Sequence, residues 1–112
     1  MLLKNFIRVY VPTHDRDGKS LTPEQVFEAV QRVERDLCER FGGCTTVNGH
    51  GAWVNPMGDI IHEPVAIVES YHSVSYDDTV GFRYALACYL SEYLKQDGVA
   101  MVCEEGLLLY DF

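Results

Sequence analysis

The residues able to do chemistry in this chain are scattered. Four histidines, His14, His50, His62 and His72, stand 36, 12 and 10 positions apart, whereas metal sites on helices and turns repeat their ligands at short spacing. Four cysteines, Cys38, Cys44, Cys88 and Cys103, include no C-x-x-C pair; this pattern predicts reduced, inert thiols rather than a zinc framework or a disulfide scaffold. Ser20, Ser70, Ser73, Ser75 and Ser91 lie in no nucleophile-elbow pattern. Asp15-Arg16-Asp17-Gly18 lacks the third acidic ligand and the distal glutamate of a calcium loop, and reads as a solvated turn. The expectation is no metal and no cofactor.

Two carboxylates remain for acid–base work. Glu63 precedes Pro64 inside an extended run, and Glu69 follows on the same run. Burial can raise a carboxylate's pKa and turn it into a general base; the competing role is an ion pair or backbone hydrogen bond that fixes a bulge at the proline. His62 and Glu63 are neighbours on a strand, so their side chains must point to opposite faces. Trp53, the single tryptophan, can stack on a ring-shaped ligand or cover a sheet edge. Gly42-Gly43 follows a helix, where carbonyl oxygens rather than amides point outward, and reads as a C-terminal cap rather than an anion nest.

These residues need elements to position them. Asn5–Val11 is β-branched and aromatic and ends at Pro12, which predicts a strand. Ile7, Val9 and Val11 share one face, and Phe6, Arg8 and Tyr10 the other. Thr22, Pro23 and Gln25 spell a capping box with proline at the first helical position, and Leu21 and Val26 stand as a hydrophobic staple. Val26, Val30, Val33, Leu37 and Phe41 then form a helical stripe. Cys44–Val47 and Ala52–Asn55 read as short strands around an Asn48-Gly49-His50-Gly51 hairpin turn, and Pro56-Met57-Gly58-Asp59 reads as a second turn. Ile60–Tyr71 reads as a long strand whose Pro64 implies a bulge or an edge. A second helix starts near Asp77 or Asp78 and runs to Asp97-Gly98, with Phe82, Leu86, Tyr89, Leu90, Tyr93 and Leu94 on its apolar face. Val99–Cys103 and Leu107–Tyr110 close the chain as a hairpin.

The order β-α-β-β-β-α-β-β predicts a single α+β domain, a ferredoxin-like two-layer sandwich with both helices on one face of a mostly antiparallel sheet. A chain of 112 residues suffices for one self-sufficient core. Seventeen acidic residues against nine basic ones, a formal charge of −8, argue against nucleic acid as a partner. No apolar run reaches a membrane span and none fits a signal peptide, so the expected location is the cytoplasm.

One string stands out: Arg40-Phe41-Gly42-Gly43-Cys44-Thr45, then Gly51-Ala52-Trp53, then Gly58-Asp59-Ile60-Ile61-His62-Glu63-Pro64. It resembles the R-F-x-G-x-T, G-x-W, G-x-I-x-E-P pattern of an uncharacterised family of short bacterial and phage proteins. The resemblance spans roughly residues 40 to 68, implies a bacterial or viral origin and the ferredoxin-like fold, and carries no mechanism.

A two-layer sandwich leaves one sheet face bare. That face would carry Phe6, Arg8 and Tyr10, with Trp53 and Tyr71 or their neighbours, and an aromatic, partly charged bare face calls for a second subunit or a ligand. The leading expectation is therefore a non-catalytic, homo-oligomeric binding module, most simply a homodimer, holding a small nucleotide-like ligand. Arg8 would supply charge, Tyr10 and Trp53 stacking, and His50 or Glu69 polar contacts. The phage relatives imply one concrete version, a sponge for a host signal. The alternatives are a small enzyme using His50, His62 or Glu63, and an acidic protein inhibitor.

Overall fold

In the computed structural model, which describes all of residues 1–112, the run Asn5–Pro12 forms strand β1 at the centre of a five-stranded sheet. Helix α1 spans Pro23–Phe41, strands β2 and β3 span Thr45–Val54 and Ile60–His72, and a single 3-10 turn at Asp77–Thr79 leads into helix α2, Val80–Leu94. Strands β4, Gly98–Cys103, and β5, Gly106–Asp111, end the chain. The sheet order is β2-β3-β1-β4-β5, with every neighbouring pair antiparallel. This is the α+β two-layer fold expected, ferredoxin-like in its first four strands, with β5 added at one edge. No helix is long and apolar enough to cross a membrane.

Helix α1 begins where its capping residues say it should. Thr22 Oγ1 accepts the Gln25 backbone N–H at 3.1 Å, and Gln25 Oε1 accepts the Thr22 N–H at 2.9 Å. Gly42 ends the helix in the left-handed region, at φ 97°. Ala29, Val33 and Leu37 are buried against Ile7, Val9, Val11, Ala66 and Val68 of the sheet and Leu86, Ala87, Leu90 and Leu94 of α2. Polar contacts clasp the two helices together outside this core: the Tyr93 hydroxyl donates to Glu28, and the Arg32 guanidinium lies 4.5 Å from the centre of the Tyr89 ring.

The chain departs from the expected order at one place. There is no hairpin at Asn48–Gly51; β2 runs unbroken through it, so the order is β-α-β-β-α-β-β. A two-residue turn of this type needs positive φ at Gly49, and Gly49 does not have it. It lies in extended backbone instead, where a Cβ would stand 2.9 Å from Ile67 Cδ1, the tip of a side chain on the neighbouring strand. The turn expected at Pro56-Met57-Gly58-Asp59 is the one that joins β2 to β3: Asn55 Oδ1 accepts the N–H groups of Met57 and Asp59, and Gly58 takes φ 86°. Helix α2 also stops early, at Leu94 rather than Asp97-Gly98. Lys95 takes the left-handed cap at φ 54°, which its sequence gave no reason to expect. Pro64 lies in no bulge but at an edge position, as expected, because β3 is paired there on one side only. Strand β1 has already ended beside it, and its carbonyl accepts Thr13 Oγ1 at 2.7 Å on that side, so no ladder bond needs its missing N–H.

His72 closes one end of the core, stacked on Phe41 with ring centres 4.1 Å apart and its Nδ1 accepting the Val74 N–H. Burial pushes its pKa down; Glu104 opposes the shift, while Arg40 and Arg83 reinforce it. Arg83 itself is buried, its guanidinium 4.0 Å from the Tyr76 ring centre and donating to the Tyr76 carbonyl.

Two outcomes follow from these contacts. Thr22→Ala removes one cap bond from an exposed position and is expected to cost about 1 kcal/mol in urea unfolding; a silent substitution would mean the helix does not depend on that cap. His72 titrates near 6.5 when unfolded and lower when folded. The unfolded chain then holds more protons, so stability is complete above pH 6.5 and declines as pH falls toward the folded value. The urea midpoint should drop over that range, and His72→Gln should flatten the decline. An unchanged pH profile in the variant would rule out His72 as its source.

Candidate functional site

Alternation along β1 that sends Ile7, Val9 and Val11 into the core sends Phe6, Arg8 and Tyr10 to the bare face. Register decides what meets them. Arg8 pairs with Glu69 and Tyr10 with Ile67 on β3, which in turn face Thr45 and Val47 on β2. These six residues line a shallow hollow of about 320 Å³ on the uncovered side of the sheet. Arg8 Nε donates to Glu69 Oε2 at 2.7 Å, and the Arg8 guanidinium also sits 5.2 Å from the centre of the Phe6 ring. The bond to Glu69 raises the Arg8 pKa further, so the Arg8 charge stays fixed in place. Phe6 in turn packs on Tyr71, ring centres 5.5 Å apart. The hollow thus offers a paired cation and anion on one wall and apolar Val47 and Ile67 on the other.

Of the five residues expected to bind a ligand, Arg8, Tyr10 and Glu69 are brought together here. Trp53 lies on the same face but eight residues further along β2 than Thr45, about 25 Å away at strand rise. It belongs to an arm: beyond the Pro12–Val65 pair, β2 and β3 continue as two strands with no third beside them. Trp53, Val54, Met57 and Ile60 are all at least half exposed on that arm. His50 lies on the arm's other face, its Nε2 3.0 Å from His62 Nδ1. It is outside the hollow.

Glu63 takes the positioning role rather than joining His50 or His62. Its Oε2 lies 3.2 Å from His14 Nδ1 and accepts the Thr13 N–H, while Ser20 Oγ lies 3.3 Å from His14 Nε2. This chain of contacts ties the loop after β1 onto β3. No three His, Cys, Asp or Glu side chains gather at metal-binding geometry. Thr45, Val47 and Ile67 were missed as lining residues because their place depends on pairing between strands far apart in sequence. The alternation of Thr45 and Val47 was visible, but the apparent turn at Asn48-Gly49 hid the strand they share with Trp53.

No family model and no curated protein matches the sequence. Solved structures do match the fold. A phage SAM lyase in complex with S-methyl-5'-thioadenosine superposes with a TM-score of 0.70 at 19% identity, over 96% of this chain and 89% of that one. The phage SAM lyase in its apo state gives a TM-score of 0.64 at 18% identity, over 96% and 87%. At this identity the likeness is one of fold, and it extends along nearly the whole of both chains.

The two faces of β1 should respond differently to truncation. Arg8→Ala breaks a half-exposed ion pair and is expected to cost no more than about 1 kcal/mol. Val9→Ala, one residue away but fully buried, should cost about 1.5–3 kcal/mol. Equal losses in urea unfolding would mean that Arg8 is part of the folding core and not a residue free to serve a ligand.

Proposed function

We propose that this chain binds S-adenosylmethionine in the hollow around Arg8, Tyr10 and Glu69 and splits it as a lyase. The observation that carries the reading is the near end-to-end match to a phage SAM lyase fold, together with a hollow whose chemistry suits that molecule. S-adenosylmethionine carries an ammonium, a sulfonium, a carboxylate and an adenine ring. Glu69 complements the cationic groups, Arg8 the carboxylate, and Tyr10 offers a ring face for the adenine.

The reaction needs little from the protein. In the version proposed, the ligand's own carboxylate oxygen bonds to its Cγ as the Cγ–S bond breaks. The electron pair leaves with sulfur, giving neutral S-methyl-5'-thioadenosine and homoserine lactone. Neither water nor a protein base enters that balance. It suits a site whose one carboxylate, Glu69, is already engaged by Arg8. Opposite charges are annihilated in the transition state, so a drier site favours it. Here the bare face has a second part to play. Val47, Trp53, Leu107 and Leu109 are each at least half exposed, a spread of apolar surface that monomers seldom leave uncovered. A second copy laid over it, most simply in a dimer, would exclude water from the hollow. The arm would carry Trp53 across to the partner's site.

The experiment is incubation with S-adenosylmethionine followed by chromatography, with sedimentation of the same sample. Expected are S-methyl-5'-thioadenosine and homoserine lactone in equal amounts, a dimer or larger particle, and a loss of about ten- to a hundredfold in turnover for Glu69→Gln with folding intact. Intact, stoichiometrically bound S-adenosylmethionine would favour the sponge over the lyase. Intact ligand with no binding would remove the proposal, and a monomer at micromolar concentration would remove the shared site.

A further inference from the structure

Two thiols face each other where helix α1 gives way to strand β2. Cys38 lies in the last turn of α1 and is exposed; Cys44 immediately precedes β2 and is half buried. Their sulfurs stand 3.7 Å apart. A disulfide needs about 2.05 Å, so each sulfur has less than about 1 Å to travel. The segment between them can absorb that movement. Gly42 and Gly43 have no neighbouring atoms within 4 Å of where a Cβ would lie, and the Gly42 cap is bonded to the carbonyl of Cys38 itself. The other two cysteines differ. Cys103 is buried in the sheet, and Cys88 has no second thiol beside it.

We propose that Cys38 and Cys44 form a covalent modification site, an oxidisable dithiol that closes into a reversible disulfide across the cap of α1. The oxidant is a small disulfide such as oxidised glutathione. The Cys38 thiolate attacks one of its sulfurs, forming a mixed disulfide and releasing one glutathione thiolate. Cys44, having lost its proton to water, then attacks Cys38 Sγ and releases the second. Two protein thiols are oxidised and one glutathione disulfide is reduced to two thiols. Exposure assigns the attacking role to Cys38. In the open dithiol burial first, and the neighbouring Cys38 thiol second, push the Cys44 pKa up to about 11; the burial contribution persists once Cys38 carries glutathione and keeps closure the slow step at neutral pH.

The bridge would join the last turn of α1 to the residue before Thr45, which lines the hollow on the sheet's bare face. The chemistry is independent of what the hollow binds.

Native protein is treated with oxidised glutathione and mapped by mass spectrometry. Expected is a loss of two hydrogens, with the peptides holding Cys38 and Cys44 joined and no glutathione retained. Cys44→Ser should stop as a stable glutathione adduct on Cys38, and Cys38→Ser should leave Cys44 unmodified. The closing step should quicken about tenfold per pH unit between about pH 7 and 9, as the Cys44 thiolate fraction grows. Dithiothreitol should reopen the bridge. A glutathione adduct that persists on Cys38 in the unaltered protein, or a Cys38–Cys38 link between two chains, overturns the proposal.

Discussion

The pleat of β1 is the constraint on which the rest depends. Each residue along it turns to the opposite face, so the same eight residues that seal the core also furnish the hollow. A slip of one position would carry Arg8 beneath the helices and Val9 into the open. Two ladders hold the strand against such a slip. On one side Arg8 faces Glu69, and on the other it faces Val102. The ion pair is therefore set by the register of the central strand, and the register by the burial of Ile7, Val9 and Val11. A modest surface contact inherits its geometry from the costliest part of the fold to disturb.

The two sheet faces are finished in different ways. The helix side is closed by apolar packing and then clasped by polar groups. Tyr93 is one of these, its hydrogen bond to Glu28 pushing its pKa up to about 12. The opposite side has no such layer. The ion pair at its hollow is made within the face itself, and its apolar residues stand open from β2 to β5.

What the sequence made legible was local or periodic. The capping box at Thr22, the Gly42 cap, the two faces of β1 and the apolar stripe of α2 each follow from spacing within a few residues. The errors came where one dipeptide has two physical uses. Asn48-Gly49 has the composition of a turn, but Gly49 lies in extended backbone with the tip of Ile67 over it. Accepting the turn broke β2 in two and concealed the arm. For the site, Arg8, Tyr10 and Glu69 were legible as residues of one bare face, since alternation supplies the face. Their grouping with Thr45, Val47 and Ile67 was not, because register between distant strands leaves no trace in either strand alone. His50, expected in the same group, occupies an even position that on a continuous strand sends it to the reverse face, beside His62.

The sheet order also governs how the chain can assemble. β1 is first in sequence yet central in space, and its neighbours are residues 65–72 on one edge and 101–103 on the other. Both hairpins, β2–β3 and β4–β5, can close from nearby residues, while the strand between them waits for partners more than 50 residues away. A polypeptide emerging from the ribosome would release β1 first, with both its edges unpaired and Ile7, Val9 and Val11 uncovered. Not until the final tenth of the sequence is free does the second edge find its ladder. For most of its synthesis, then, the segment that organises the finished domain is the one most open to mispairing.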